Sequence, residues 1–574
     1  MCHVCGCSGE RTAFSKAENV KATSDHLRGT IIDDLESDSA TFTESNAQLL
    51  KFHGTYQQDD RDRRKEAKAQ GRGKHSMMML RTRIPGGIMS PDAYLAHDDI
   101  ATRWGNGTVR VTTRQTIQLH GVLKGDLSAA IRTINSALLT TLGGCGDQGR
   151  NIMACPEPVH DAFHEDVAAV VAALSEALIA STRAYHEIWI DGVRATAAPE
   201  ETEALYGDTY LPRKFKAAIA LEGDNCVDVY ANDLGFVARR ERGRLTDFTV
   251  LVGGGLGRTA NKPNTFPAVG VPFAQVSAEQ LVPVARAVVA VYRDWGNRSD
   301  RRHARIKYLI ADRGIDWLRQ RVAEESGLVL PPPRALAWAP VPDHLGWHEQ
   351  GDTRLYCGLH VENGRIADTP SARLRSTLRR IVEELRPRIV LTPQQNLIIA
   401  GVEPSQRALV EQLLSDGGVL PTTEIPLSVR HAMACPALPT CGLAVAESER
   451  VMPDLIRRIA AVEAELGLGD ERISYRMTGC PNGCARPYLG DVGVVGTTLG
   501  KYDIFLGGDF EGTRLNRLFR SNIPLDDIPN LLRVVLAAYR DARHAGETFG
   551  DWCYRVGVDA LRAQIESVPT QVPA

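Results

Sequence analysis

Val109-Arg110-Val111-Thr112-Thr113-Arg114-Gln115-Thr116-Ile117-Gln118-Leu119-His120-Gly121-Val122 has a second, altered copy in this chain, Ile389-Val390-Leu391-Thr392-Pro393-Gln394-Gln395-Asn396-Leu397-Ile398-Ile399-Ala400-Gly401-Val402. Thr112, Gln115, Gly121 and Val122 recur as Thr392, Gln395, Gly401 and Val402. Apolar residues at 109, 111, 117 and 119 meet apolar residues at 389, 391, 397 and 399. That is strand periodicity in both copies. The same offset sets Arg150, Met153, Ala154, Cys155 and Pro156 on Arg430, Met433, Ala434, Cys435 and Pro436. With gaps, Asp233 to Val237 matches Asp491 to Val495, and Val252-Gly253-Gly254 matches Leu506-Gly507-Gly508. Tyr292-Arg293-Asp294 and Tyr539-Arg540-Asp541 each end an amphipathic stretch. Each unit reads as strands, a Gly-rich turn and a closing helix. The pattern predicts two related α/β halves with pseudo-twofold symmetry.

The second half carries two close cysteine pairs, Cys435 with Cys441 and Cys480 with Cys484. Four thiolates so placed can hold an iron–sulfur cluster, whereas zinc ribbons and ferredoxin runs use C-x2-C pairs. In the first half Cys155 stands at the place of Cys435, but Asp161 stands where Cys441 would be, and the Cys480/Cys484 pair has no counterpart. A cluster therefore belongs to the second half only, and Cys155 is expected to be a bystander.

The first half is instead dense in cations. Arg81 and Arg83, Arg110 and Arg114, and Lys214 and Lys216 alternate as residues on one face of a strand do. Taken singly, such pairs read as solvated strand faces. Taken together in one half, they imply anions: Arg forks suit carboxylates and Lys ammonium suits a compact oxyanion.

The totals bound the rest. A chain of 574 residues holds about three or four domains, with Pro331-Pro332-Pro333 as the junction between halves. A net charge of −3 gives no case for nucleic acid. No secretory signal pattern stands out, and Val167 to Ala180, the most apolar helical stretch, is too short to span a bilayer. The expectation is a cytoplasmic protein with no membrane segment, whose twelve cysteines serve as ligands and core residues. Cys2, Cys5 and Cys7 with His3 are close enough to take a soft metal, and the stretch is briefly similar to the nickel-binding start of some hydrogenase accessory proteins. The favoured reading is a tail outside catalysis. Gly253-Gly254-Gly255 follows a strand, but a lone glycine run is weak evidence for a nucleotide.

At His53 to Arg61, Arg83-Ile84-Pro85-Gly86-Gly87, Thr113 to Thr116, Leu211 to Lys216, Asp294 to Arg298, Gln395 to Gly401 and Met477 to Cys484, the chain resembles the siroheme-containing nitrite/sulfite reductases. Within them it looks like the assimilatory sulfite reductase haemoprotein beta subunit. The resemblance implies an α/β (α+β, mixed-sheet) three-domain fold around siroheme. Its expected parts are an N-terminal extension (1–75), a ferredoxin-like domain from both halves (76–145 plus 346–422), a cation-rich siroheme-facing domain (146–345) and a cluster-binding one (423–574).

It further implies a [4Fe–4S] cluster on Cys435, Cys441, Cys480 and Cys484, with Cys484 also ligating the siroheme iron. Arg83, Arg150, Lys214 and Lys216 would face the substrate. Arg110, Arg114, Gln118, Arg213, Gln395 and Asn482 would hold siroheme. Gly149 departs from the larger polar residue expected before Arg150. The implied reaction is six-electron reduction of sulfite to sulfide for sulfate assimilation and cysteine biosynthesis. Nitrite reduction is the runner-up, and a non-catalytic iron–sulfur protein or a zinc module the readings from other classes. Nothing in the sequence binds NADPH or flavin, so electrons are expected from an NADPH-dependent flavoprotein alpha subunit, or else from ferredoxin.

Overall fold

Strand Ser76–Arg81 pairs with Ile117–Val122, and that strand with Val109–Val111, through the first copy of the repeat. In the second copy, Leu355–Leu359 pairs with Leu397–Val402, and that strand with Arg388–Leu391. The computed structural model describes residues 14–566 apart from 183, 185–188, 191–192, 195–202 and 261. Cys2, Cys5 and Cys7 lie outside the described residues.

The two copies exchange strands. Ile88–Met89, from the first half, adds to the edge of the second copy's sheet beside Arg388–Leu391. Arg365–Ile366, from the second half, adds to the first copy's sheet beside Val109–Val111. The apolar faces of both sheets share one core that includes Leu80, Val109, Ile117, Leu119, Ile389, Leu391, Leu397 and Ile399. Each large apolar side chain buried there contributes about 1.5–3 kcal/mol. The identical glutamines of the repeat brace this arrangement. Gln115 and Gln395 both adopt left-handed backbone, φ 51° and 69°. Gln115 accepts from the Ala154 amide at 2.9 Å, and Gln395 from the Ala434 amide at 3.2 Å.

Two further sheets repeat one another. Met153–Ala154, Ala217–Leu221, Leu234–Glu241, Arg244–Val252 and Val271–Ser277 form one; Ala432–Ala434, Tyr475–Thr478, Val492–Thr498, Lys501–Leu506 and Arg517–Pro524 form the other. In each the first two pairings are parallel and the last two antiparallel. Helix Ala278–Trp295 covers the first of them. Its start is fixed by the Ser277/Gln280 capping box, and Leu281, Val284, Ala285, Val288 and Tyr292 bury one face. Ile528–Ala542 is its counterpart, burying Ile528, Leu532, Val535 and Tyr539.

The glycine turns after Val252 and Leu506 have matching φ values, 91° at Gly253 and 87° at Gly507. A Cβ on Gly254 would lie 2.1 Å from the Tyr230 carbonyl, and on Gly508 2.3 Å from the Gly490 carbonyl. In the first half the carbonyls of Gly255 and Gly257 accept from Lys307 Nζ, both at 2.8 Å. The run is thus a backbone turn wrapped on a cation.

The polar N-terminal segment is more tightly built in than its composition suggests. Thr55–Asp59 is an edge strand against Ser76–Arg81. Leu27, Leu49 and Phe52 enter the core of the Ala217–Leu221 sheet. Lys21 is buried in ion pairs with Glu18 and Asp147 at 2.6 and 3.9 Å. After Pro331-Pro332-Pro333 the chain is extended and docks on the first half, where the Ala339 amide donates to the Gly223 carbonyl at 2.9 Å.

Candidate active site

Cys435 follows strand Ala432–Ala434, and Cys480 and Cys484 follow strand Tyr475–Thr478; these two strands are parallel neighbours. That adjacency brings together residues separated by about forty positions in sequence. The Gly479 amide donates to Cys435 Sγ, and Asn482 Nδ2 to Cys480 Sγ, each at 3.4 Å. Cys435 and Cys480 are buried, Cys441 is half-buried, and Cys484 is exposed. Burial, and then the neighbouring Cys484 sulfur, push the Cys480 thiol up to about 12 and the Cys435 thiol higher still. Such thiols need a metal to hold them as thiolates. Gly479 has no room for a side chain: a Cβ would lie 2.4 Å from the Ala446 carbonyl.

Other segments grip this turn. Arg61, from the N-terminal segment, donates to the Cys441 and Ala444 carbonyls at 3.3 and 2.6 Å. Thr113 Oγ1 donates to the Cys484 carbonyl at 2.9 Å, and Arg486 returns a bond to the Thr113 carbonyl at 2.8 Å. The first repeat turn and the last cysteine turn are therefore locked together.

Cys484 faces a cleft lined by Arg114, Lys214, Lys216, Asn232, Arg305, Asn482 and Arg486. Burial, then Arg213 and Arg305, push Lys214 down to about 7. Burial, then Lys214 itself, holds Lys216 well below its ordinary value. Arg114 is pushed down to about 9 by burial and by Arg150, and donates to Asn232 Oδ1 at 2.9 Å and the Asn151 carbonyl at 2.6 Å. Arg305 forks onto Asp233 at 2.9 and 2.7 Å. Arg486 and Arg476 share Asp228, which joins the two halves behind the cleft. This is a concentration of cations short of anions.

Not every expected residue is in this cleft. Arg114, Lys214, Lys216, Asn482 and Cys484 line it. Arg150 lies close enough to act on Lys214 and Arg114, with its Nε on the Gly146 carbonyl at 2.9 Å. Arg213 faces Asp147 at 3.8 Å and acts on Lys214. Arg83 does not line the cleft. Its guanidinium is spent on Ser175 (2.8 Å to the carbonyl, 3.1 Å to Oγ) and on the Gly149 carbonyl at 3.2 Å.

Gln395 is closed by Asn363 and Ala434, and Gln118 takes a bond from Arg110 at 3.3 Å. Arg110 pairs with Glu449 at 2.7 Å and donates to the Ala434 carbonyl at 3.0 Å, behind Cys435. These three brace the cysteine turns rather than face the cleft.

Arg81, paired with Arg83 by alternation but left out of the expected substrate-facing set, is a further cation near Cys484. Its electrostatic neighbours are Cys145, which also takes a hydrogen bond from it, Tyr56 and Cys484, and among the described residues its buried Nε has no hydrogen-bond partner. Strand Ser76–Arg81 ends at that residue, so the alternation that aligned Arg81 with Arg83 does not continue. Gly149 has a steric reason: a Cβ there would lie 2.7 Å from the Leu178 carbonyl and 2.8 Å from the Tyr206 hydroxyl. Cys155, expected to be a bystander, is not isolated: its Sγ groups with Asp224, Cys226 and His344.

Four converging thiols, one opening on a cation-walled cleft inside a duplicated α/β fold, define an iron–sulfur oxidoreductase with an anion-binding centre. Sequence comparison makes this specific. The profile of the nitrite and sulphite reductase 4Fe–4S domain matches residues 171–329 and 428–572, and that of the ferredoxin-like half domain matches 70–137 and 348–416. The chain belongs to the nitrite and sulphite reductase family, whose cofactors are siroheme and a [4Fe–4S] cluster.

Relatives include a sulfite reductase [ferredoxin] of Synechococcus elongatus, 44% identical over 96% of this chain and 91% of that protein. Sulfite reductase [NADPH] hemoprotein beta-components of Xylella fastidiosa (42%; 95% and 97% covered) and Shewanella putrefaciens (44%; 94% and 96%) match equally well. The Mycobacterium tuberculosis NirA protein shares the fold, with a TM-score of 0.77 at 22% identity over 96% of this chain and 98% of that one. Among the described residues no helix is long and apolar enough to cross a membrane.

Proposed function

We propose that this chain reduces sulfite to sulfide, taking six electrons and releasing the three oxygens as water. The observation that carries the reading is the convergence of Lys214, Lys216, Arg81 and Arg150 around the exposed Cys484. The residues fit both cofactors. Cys435, Cys441, Cys480 and Cys484 would hold the cluster, with Cys484 on the cleft side also ligating siroheme. Arg114, Arg213 and Asn482 would meet siroheme carboxylates. When bound, the cofactors store and deliver the electrons.

The chain's own residues do the rest. Buried cations offset the cost of bringing a dianion next to a polycarboxylate macrocycle, and their N–H groups bind the oxyanion oxygens. Lys214, poised near neutrality, hands protons to departing oxygen and is recharged from solvent. The tight packing of the Thr113 and Cys484 turns keeps the cleft wall fixed through successive electron deliveries.

Electrons come, on this reading, from an NADPH-dependent flavoprotein subunit. The beta-component relatives favour this donor. The equally similar ferredoxin-type relative supports ferredoxin as the second reading. Holoenzyme assayed with each reduced donor in turn decides: turnover with the flavoprotein and not with ferredoxin is expected, and the reverse overturns the donor assignment. A much higher kcat/KM for nitrite than for sulfite overturns the substrate.

A further inference from the structure

Cys155, Asp224, Cys226 and His344 offer one ligand atom each, and all four atoms lie within 4.8 Å of one another. They come from three separate places. Cys155 follows strand Met153–Ala154, Asp224 and Cys226 sit in the turn after Ala217–Leu221, and His344 ends the linker between the halves. Cys155 Sγ donates to Asp224 Oδ2 at 3.2 Å. His344 Nε2 stands 3.8 Å from the same oxygen. The His344 side chain is 1% exposed, yet among the described residues its Nε2 has no hydrogen-bond partner. A buried polar nitrogen left without a partner is costly and calls for an occupant. The imidazole is also held in place by its backbone: φ is 56°, and a Cβ on Gly358 would lie 1.8 Å from the His344 carbonyl.

We propose that these four residues form a mononuclear Zn2+ site, separate from the iron cluster. Two thiolates, an imidazole and a carboxylate are a borderline-soft tetrahedral set, and four protein ligands make a closed, structural site. Binding displaces the two thiol protons, and the proton of a charged imidazole, to solvent and leaves the ion's charge matched by the thiolates, with the carboxylate in excess. A cavity lined by Glu157, Tyr356 and His431 adjoins the site at His344.

The site has a mechanical consequence. The Asp224–Cys226 turn leads directly into the cleft wall at Val227, Ala231 and Asn232. Asn225 Nδ2 also reaches the Glu511 carbonyl of the second half at 2.5 Å. Zinc would pin that wall to the inter-half linker, where the Trp338 indole N–H already donates to the Tyr230 hydroxyl at 3.2 Å. In the duplicated fold Cys155 occupies the position of Cys435, so each half would use its copy of this cysteine for a different metal.

The test is elemental analysis of holoenzyme purified without chelator, before and after incubation with Zn2+. About one zinc per chain, beyond the iron, is expected, and zinc-edge X-ray absorption should give two sulfur neighbours at about 2.3 Å and two N/O neighbours at about 2.0–2.1 Å. Cys226→Ser and His344→Ala should each lose the zinc and keep the iron content and visible spectrum. Should either fail to fold, Asp224→Asn should weaken zinc by more than about tenfold. Zinc below one-tenth per chain after incubation, zinc unchanged in these variants, or a Cys155–Cys226 disulfide in the native protein overturns the site. None of these readouts depends on sulfite turnover.

Discussion

Glu449→Gln is expected to lower stability by about 3 kcal/mol at neutral pH. Glu449 joins the exchanged strands to the cluster turn. It accepts from Arg110 at 2.7 Å and Arg365 at 2.6 Å, and its amide donates to the Cys435 carbonyl at 3.1 Å. Although burial opposes ionisation, Arg110 and then Arg365 hold the carboxyl down at about 2, from an ordinary 4.5. A gap of roughly 2.5 units, at 1.36 kcal/mol per unit, is about 3 kcal/mol. The side chain is 11% exposed, so little of this is screened.

Because the folded value is depressed, the contribution is fully present above pH 4.5 and is lost as pH falls through the folded value near 2. Arg110 tells the other side: burial pulls its pKa below the usual guanidinium value despite Glu449. The pair as a whole is therefore worth less than its broken half costs, and an apolar replacement of both partners should recover much of the loss. Urea-induced transitions of wild type, Glu449→Gln and Arg110→Met/Glu449→Leu would measure this. A single-variant loss under 1 kcal/mol, or a double variant no better than the single, refutes the reasoning.

Arg81→Gln should lower kcat/KM for sulfite by about a hundredfold with little change in the unfolding transition, because it removes a donor near Cys484. Arg83→Gln should do the opposite, losing about 2–3 kcal/mol of stability by stripping Ser175 and Gly149 of their partner while KM holds; kinetics and denaturation together expose any reversal. Glu463, buried beside the Tyr475 hydroxyl at 2.6 Å, is pushed up to about 7 by burial. Its folded form keeps a proton that the unfolded chain releases above 4.5, so stability falls as pH rises from 4.5 to 7 and is level beyond. Glu463→Gln should therefore gain about 1–3 kcal/mol at pH 8 and flatten that slope; no gain at pH 8 counts against it.

The duplication was legible because strand alternation and a left-handed turn leave marks in the residues themselves. Thr112/Thr392 and Gln115/Gln395 recur because both turns need the same hydrogen bonds. Those identities signalled bracing, which is why Gln395 proved a poor guide to the cleft. The two cysteine pairs stood out by their spacing, and the strands that lead into them are neighbours in one sheet. Arg81 was not separable from Arg83, since alternation cannot show where a strand stops. The grouping of Cys155 with Cys226 and His344 left no spacing signal: its parts lie on three loops, two set side by side by the pairing of Met153–Ala154 with Ala217–Leu221 and the third added by docking of the linker.

The exchange of Ile88–Met89 and Arg365–Ile366 between sheets bears on how the chain is born. Ile389 pairs with Met89, so an earlier segment waits for one made roughly 300 residues later. At ribosomal speeds that is about 15–60 s. Arg110, almost wholly enclosed in the finished molecule, waits on Arg365 and Glu449 for its cover. The nascent first half must therefore carry an incomplete sheet edge out of the ribosome, a substrate for chaperones. A gene cut at the proline junction would yield two proteins, each missing a strand that only the other can supply.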